Sequence, residues 1–310
     1  LKISIAQRLK PFSHKNGASC LIPGTWVEVE AFPALIRWGE IEVPTGVIGP
    51  VKEFTLQQDL EKNSVSIFGK AQAGFFRYKL HAFDGGFELN GKKYASEAPF
   101  FLPSVWERLS LGSHKALDWD LQLRRFDLRD ILPVLFGLGQ KIPRVAPQRL
   151  SGTARLLEGG DLSYILRAAF HHILVPRLFD DEYQGLAPIE KGEGNPAFLL
   201  QETHKLIRAL FFKQNQRRVE LLPKPLFPSG RMTRLQAEGI GELDIEWASG
   251  LMRRSIVRAS FPGEIIPVLQ PEIKRFRARV SLSEKGKTIK AGEPLLLEAN
   301  QTLYLDRFQK

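Results

Sequence analysis

The chain has 310 residues, 43% of them hydrophobic and 25% charged, with a formal net charge of +10. This length is enough for two or three domains with cores of their own, and the composition excludes a disordered or fibrous chain. No apolar run reaches the roughly eighteen residues that a membrane-crossing helix needs, and a single cysteine, Cys20, excludes an internal disulfide.

The first residues, Leu1 to Arg8, alternate like a strand and lack the apolar core of a signal peptide, so cytoplasmic residence is the default expectation. Cys20, set between Ser19 and Leu21, reads as a buried small hydrophobe rather than a nucleophile. Residues 1–100 predict an all-β domain, a β-sandwich. Trp26 to Phe32 alternates apolar and acidic residues with period two, as a half-buried strand does. Similar runs follow at 34–38, 40–43, 53–58, 64–68, 75–82 and 86–89, and Phe83-Asp84-Gly85-Gly86-Phe87 is a hairpin signal. Trp26 and Trp38 are expected to fill the core rather than to stack on a sugar.

Residues 101–218 predict a small helical middle segment. It opens on a polar, aromatic stretch in which His114, Asp118 and Asp120 can cluster, with Trp119 as a stacking surface; a linker pinned by Trp119 and salt-bridged to Arg124 or Arg125 is the plainer reading. Asp127 is expected to cap a helix carrying Leu128, Ile131, Leu132, Leu135 and Leu138, stopped by Gly139. Pro133 requires that helix to begin near Asp130. Asp161 caps a second helix, whose apolar stripe of Leu162, Ile165, Leu166, Ala169, Phe170 and Ile173 runs to Pro176. His171 and His172 fall within it. Neighbours on a helix diverge by about 100° and share a metal poorly, so no metal and no cofactor are expected. Asp180, Asp181 and Glu182 form an acidic run on a loop. Asn195 caps a last helix from Pro196, with Leu199, Thr203, Leu206, Ile207, Leu210 and Phe211 on its buried face.

Residues 219–310 return to strand periodicity, with glycines 239, 241, 250, 263, 286 and 292 at the turns, and predict a second β-sandwich. The fold class expected is therefore α+β and multidomain, with a sandwich at each end. The densest basic patch, Lys274-Arg275-Phe276-Arg277-Ala278-Arg279, puts three arginines on one face of a strand. It reads as a solvated face, which argues against nucleic acid as a partner.

One stretch adds a resemblance. Leu221-Leu222-Pro223, Pro228-Ser229-Gly230, Leu235-Gln236-Ala237-Glu238-Gly239, Leu243-Asp244-Ile245-Glu246-Trp247 and Gly250-Leu251 resemble the carboxy-terminal part of α-L-fucosidase-type inverting glycoside hydrolases. Those enzymes carry an (α/α)6 barrel. The resemblance implies that Glu193-Gly194-Asn195-Pro196 stands where the family has Asp-Gly-Asn-Phe, so that Glu193 is the general base and Asn195 orients water or substrate. Inversion needs a second carboxylate about 6.5–9.5 Å away as general acid, for which Asp180, Asp181 and Glu182 are the candidates, Asp181 and Glu182 foremost. His114, Asp118 and Trp119 are the further expected substrate contacts. Glu replaces Asp, Pro replaces Phe, and residues 104–218 are too few for a full ring of helices. The resemblance thus implies a reduced, degenerate member. It binds and hydrolyses a saccharide or glycoside, or it is a non-catalytic binding or scaffold protein that kept the shell; nucleic-acid binding is the weaker third reading, and a protein partner stays open.

Overall fold

The computed structural model describes residues 2–146, 162–177 and 195–310. These residues form a β-rich α+β fold with four helices among them. No described helix is long and apolar enough to cross a membrane.

The described residues gather into two compact units that differ from the three consecutive segments expected at 1–100, 101–218 and 219–310. The amino-terminal unit comprises Arg8–Ser104 and Lys115–His204, and the carboxy-terminal unit comprises Leu1–Gln7, Val105–His114 and Lys205–Lys310. Two local causes account for the difference. The buried carboxylate of Glu107 accepts from Arg208 Nε at 2.9 Å and from the Gln236 backbone N–H at 2.8 Å, which ties residues 105–114 into the later unit. The expected boundary at 218 also falls inside a hairpin, because Phe212–Asn215 pairs antiparallel with Arg218–Leu221.

In the amino-terminal unit a six-stranded sheet runs in the order Phe12–Ser13, Lys52–Asp59, Ser64–Ala71, Gly74–Phe83, Gly86–Leu89, Lys92–Ala95. A four-stranded sheet runs Ala18–Leu21, Glu28–Ala31, Leu35–Trp38, Ile41–Pro44. The period-two pattern has its expected cause. Val29 and Ala31 are buried and face Trp38 and Ile36 across the ladder, while Glu28 lies on the exposed side. Trp38 is core, packed edge-on to Phe87 and Tyr94. The Asp84-Gly85 turn closes the hairpin with Phe83 opposite Gly86, and Gly85 takes a positive φ of 93° that glycine adopts without strain. Gln58, fully buried, donates from Nε2 to the Leu21 carbonyl at 2.7 Å and ties one sheet to the other.

The helices follow their caps. Helix α1 spans Trp119–Arg125, and α2 spans Leu128–Gly139 with Asp127 accepting from the Arg129 N–H. α2 begins at Leu128, two residues ahead of the start Pro133 was expected to impose, and Pro133 sits inside it. Pro133 has no N–H to donate back to the first turn, a local cost that the burial of Ile131, Leu132, Leu135 and Leu138 offsets. α2 ends at Gly139, as expected, and the same glycine also permits a close approach. A Cβ there would sit 2.8 Å from the Leu200 carbonyl and 2.6 Å from His204 Cβ, so α2 packs tightly on the helix carrying those residues. Helix α3 covers Leu162–Ala169 and α4 covers Ala197–Phe211. Asp161, expected to cap α3, lies outside the described residues.

The carboxy-terminal unit carries a seven-stranded sheet in the order Arg108–Ser110, Ser229–Ala237, Gly241–Ala248, Leu251–Ala259, Thr302–Gln309, Arg275–Arg279, Lys287–Lys290. A four-stranded sheet runs Phe212–Asn215, Arg218–Leu221, Gly263–Val268, Leu295–Leu297, with one parallel pair, Arg218–Leu221 beside Gly263–Val268. The register of Ser229–Ala237 shifts between Met232 and Leu235, where Arg234 takes a φ of 62°. Asp244 Oδ1 accepts the displaced Arg234 N–H at 2.8 Å and Oδ2 accepts from Arg258 at 2.7 Å, so the bulge is held by a buried carboxylate. Buried Gln270 donates to the carbonyls of Leu221 and Leu222 and accepts from the Met252 N–H, fixing the Leu221-Leu222-Pro223 segment.

Candidate functional site

The expected catalytic carboxylates Glu193, Asp180, Asp181 and Glu182 lie outside the described residues. The other expected site residues have defined places. Asn195 caps α4, its Oδ1 accepting the Ala197 N–H at 2.9 Å. Asp118 caps α1 through the Leu121 N–H. Trp119, at 4% exposure, is packed inside and offers no stacking face, because as the first residue of α1 it turns into the core. Asp120 accepts from Ser13 Oγ at 2.8 Å instead of joining a cluster with Asp118. Of the plainer reading, a linker pinned by Trp119 and salt-bridged to Arg124 or Arg125, the buried Trp119 is seen, whereas residues 119–125 form α1.

His114 is exposed and belongs to the carboxy-terminal unit. The strand Arg108–Ser110 pairs with Ser229–Ala237, and Gly112 follows with a φ of 80°. The chain thereby brings His114 to the rim of an open cavity of about 350 Å³, also lined by Gln7, Ser229, Arg231, Glu246 and Trp247. Gly230 makes the close approach possible. A Cβ on it would lie 2.2 Å from Trp247 Cζ2 and 2.8 Å from the Ser110 carbonyl. Trp247 forms the wall rather than a platform: it is 1% exposed, stacks on Phe211 at 5.1 Å and donates from Nε1 to the Phe227 carbonyl.

The charges of this cavity are ordered. Arg231 donates from Nε to Glu246 at 2.9 Å and from Nη1 to the Ser4 carbonyl at 3.0 Å, and Arg254 bonds the second Glu246 oxygen. Burial pushes the Glu246 carboxyl up, but Arg254 and then Arg231 outweigh it and hold the group below its usual range. Glu246 is therefore an anion near neutrality that accepts hydrogen bonds and has no proton to give.

A second group in the amino-terminal unit was hidden by the helix expectation. α3 stops at Ala169; Phe170–His171 then pairs with Val175–Pro176, and His172 and Leu174 take φ values of 47° and 57°. The reason is tertiary. Ile173 bridges Cys20 on the edge of the four-stranded sheet, and its N–H donates to the Ser19 carbonyl. A helical turn there would forfeit that pairing. The two histidine rings consequently stand 4.6 Å apart, edge to face, and Glu28 joins them. Burial, then the neighbouring His172 and Arg177, push the His171 imidazole down to about 4. Burial also lowers His172, with Glu28 opposing. Both rings are neutral at pH 7, the form in which imidazole donates a lone pair. The signal in the sequence was the His-His pair itself, read on the wrong backbone.

No protein-family model matches the chain, and no curated protein sequence matches it.

Proposed function

We propose that this is a carbohydrate-associated, glycoside-hydrolase-like protein that binds a saccharide, built from two β-sandwiches with a reduced helical segment between them in sequence. The observation that carries the reading is the open cavity lined by His114, Arg231 and Glu246, beside strands that bear the Pro228-Ser229-Gly230 and Leu243 to Trp247 resemblance. Its volume lies in the range of small-ligand sites, about 300–1,000 Å³. Sugar hydroxyls both donate and accept, and here a fixed carboxylate accepts while a guanidinium and an imidazole donate.

Because Glu246 is held ionised, the cavity suits binding rather than general acid catalysis. Hydrolysis as a further property rests on Glu193 with Asp181 or Glu182. Nucleic-acid binding is disfavoured, since Arg277 and Arg279 of the basic stripe are both engaged by Asp306. A reducing compartment such as the cytoplasm fits a chain whose single cysteine is buried and free.

The test is a glycan array and a chromogenic-glycoside screen on the parent protein with His114→Ala, Arg231→Gln and Glu193→Gln. The expected result is a defined saccharide bound by the parent and held about tenfold more weakly by the His114 and Arg231 variants, the loss of roughly one charge-assisted hydrogen bond. Turnover abolished by Glu193→Gln with the fold intact makes the protein a hydrolase. Binding without turnover makes it a non-catalytic relative. Absence of binding to any glycan overturns the reading.

A further inference from the structure

Glu28, His171 and His172 each present one ligand atom, and the three atoms lie within 4.8 Å of one another. We propose that they form a binding site for a borderline divalent transition-metal ion such as zinc. Two imidazole nitrogens with one carboxylate oxygen suit that class, whereas magnesium and calcium take all-oxygen sets. Ligand bonds of about 2.0–2.2 Å place tetrahedral donors about 3.3 Å apart, so the group must close by a modest amount. Glu28 is exposed at the start of its strand and can swing to do so. Three protein donors leave a fourth position for water or a bound ligand.

The surroundings orient the rings as a metal site requires. His171 Nδ1 is buried and has no hydrogen-bond partner among the described residues, which leaves it open to a ligand. An imidazole anchored through one nitrogen presents the other as a lone pair. His172 is anchored through Nδ1, which lies 2.9 Å from both the N–H and the Oγ of Ser19. In the metal-free ring the Ser19 N–H donates to Nδ1, which puts the proton on Nε2. A metal on Nε2 requires that proton on Nδ1, where Ser19 Oγ can accept it once the ring turns off the Ser19 N–H, whose own bond to Nδ1 is then lost. Loading thus exchanges one Ser19 hydrogen bond for another, making Ser19 a positioning residue. The chain builds this group from three separate places, residues 19, 28 and 171–172, all within the amino-terminal unit.

The experiment titrates the full, tag-free, metal-stripped chain with cobalt(II), read by its visible d–d absorption, and then displaces it with zinc. The expected result is saturation at about one equivalent with zinc displacing it. Affinity should fall more than tenfold in Glu28→Gln and saturation should vanish in His171→Ala. Ser19→Ala should weaken binding by about 10–100-fold, as loss of an outer partner does, with a steeper dependence of affinity on pH. Glu28 is exposed, so its variant keeps the fold and decides the matter if His171→Ala fails to fold. No saturable binding by the parent, or affinity unchanged in Glu28→Gln, overturns the proposal.

Discussion

Arg277 and Asp306 form a two-pronged ion pair across neighbouring strands, Nε to Oδ1 at 2.7 Å and Nη2 to Oδ2 at 2.9 Å, and Arg279 adds a third bond at 2.7 Å to the same carboxylate. Burial raises the Asp306 carboxyl, and the two guanidiniums reverse that and hold it below its usual range. Two arginines of the stripe that resembles a phosphate-binding surface in the sequence are therefore held by one carboxylate, which offsets one of their two charges. Asp306→Asn should lower the melting temperature by several degrees, since two guanidiniums lose their common acceptor. The same variant should bind heparin at salt concentrations that release the parent. Unchanged retention would show that these arginines stay unavailable without Asp306.

Asp127 makes α2 acid-sensitive. The Arg129 guanidinium, helped by the Arg129 N–H and Lys115, holds its carboxyl well below the ordinary carboxylate range, against an opposing effect of burial. A group depressed in the folded state binds fewer protons than in the unfolded chain. Its contribution is complete above about pH 4 and is lost as the pH falls from there. Chemical denaturation of the parent and Asp127→Asn from pH 7 to 3 should show a shallower pH dependence in the variant. Asp127→Ala, which also removes the cap, should cost about 1 kcal/mol at pH 7. Parallel curves for parent and Asn variant would refute this account.

Cys20 should be chemically silent in the folded protein. It is fully buried, and burial first, then Glu28, pushes its thiol well above the ordinary value. The thiolate is the reactive form. A disulfide reagent should label the native protein only at the rate of its unfolding, and label it fully in denaturant. Fast native labelling would mean that the edge of the four-stranded sheet opens readily.

Gly230→Ala tests how the cavity near His114 is built. The added methyl would fall 2.2 Å from the Trp247 ring and 2.8 Å from the Ser110 carbonyl, and overpacking of this kind costs roughly 1–3 kcal/mol. Gly263→Ala, whose Cβ meets nothing within 4 Å, should stay within about 0.5 kcal/mol of the parent. Equal melting temperatures for the two variants would mean that the strands part without cost.

Much of the strand content was legible in advance because a half-buried strand writes its own period. The runs expected at 53–58, 64–68, 75–82 and 86–89 correspond to Lys52–Asp59, Ser64–Ala71, Gly74–Phe83 and Gly86–Leu89. α2 was legible for the same local reason, with Asp127 at its cap and its apolar side chains at helical spacing. The strand Ala18–Leu21 was missed, since all four residues are buried and no alternation marks it.

The site was less legible. His114 was singled out and does line a cavity, but its neighbours Arg231 and Glu246 come from strands more than a hundred residues later. Trp119 and Asp118 looked available because polarity and aromaticity alone do not reveal that one is packed inside and the other spent on a cap.

By itself the sequence determined most of the alternating strands, the helices capped by Asp127 and Asn195 with their inward faces, and that a single cysteine has no partner for a disulfide. Those properties depend on side-chain period, turn residues and caps, all of which act within a few positions. Only the tertiary structure decided that α3 ends at Ala169 so that Ile173 can bridge Cys20, that His171, His172 and Glu28 converge, and that Asp306 is shared by two arginines. Each of these depends on a partner far along the chain, and a backbone pairing or an ion pair won in the folded state outweighs the local preference that the sequence displays.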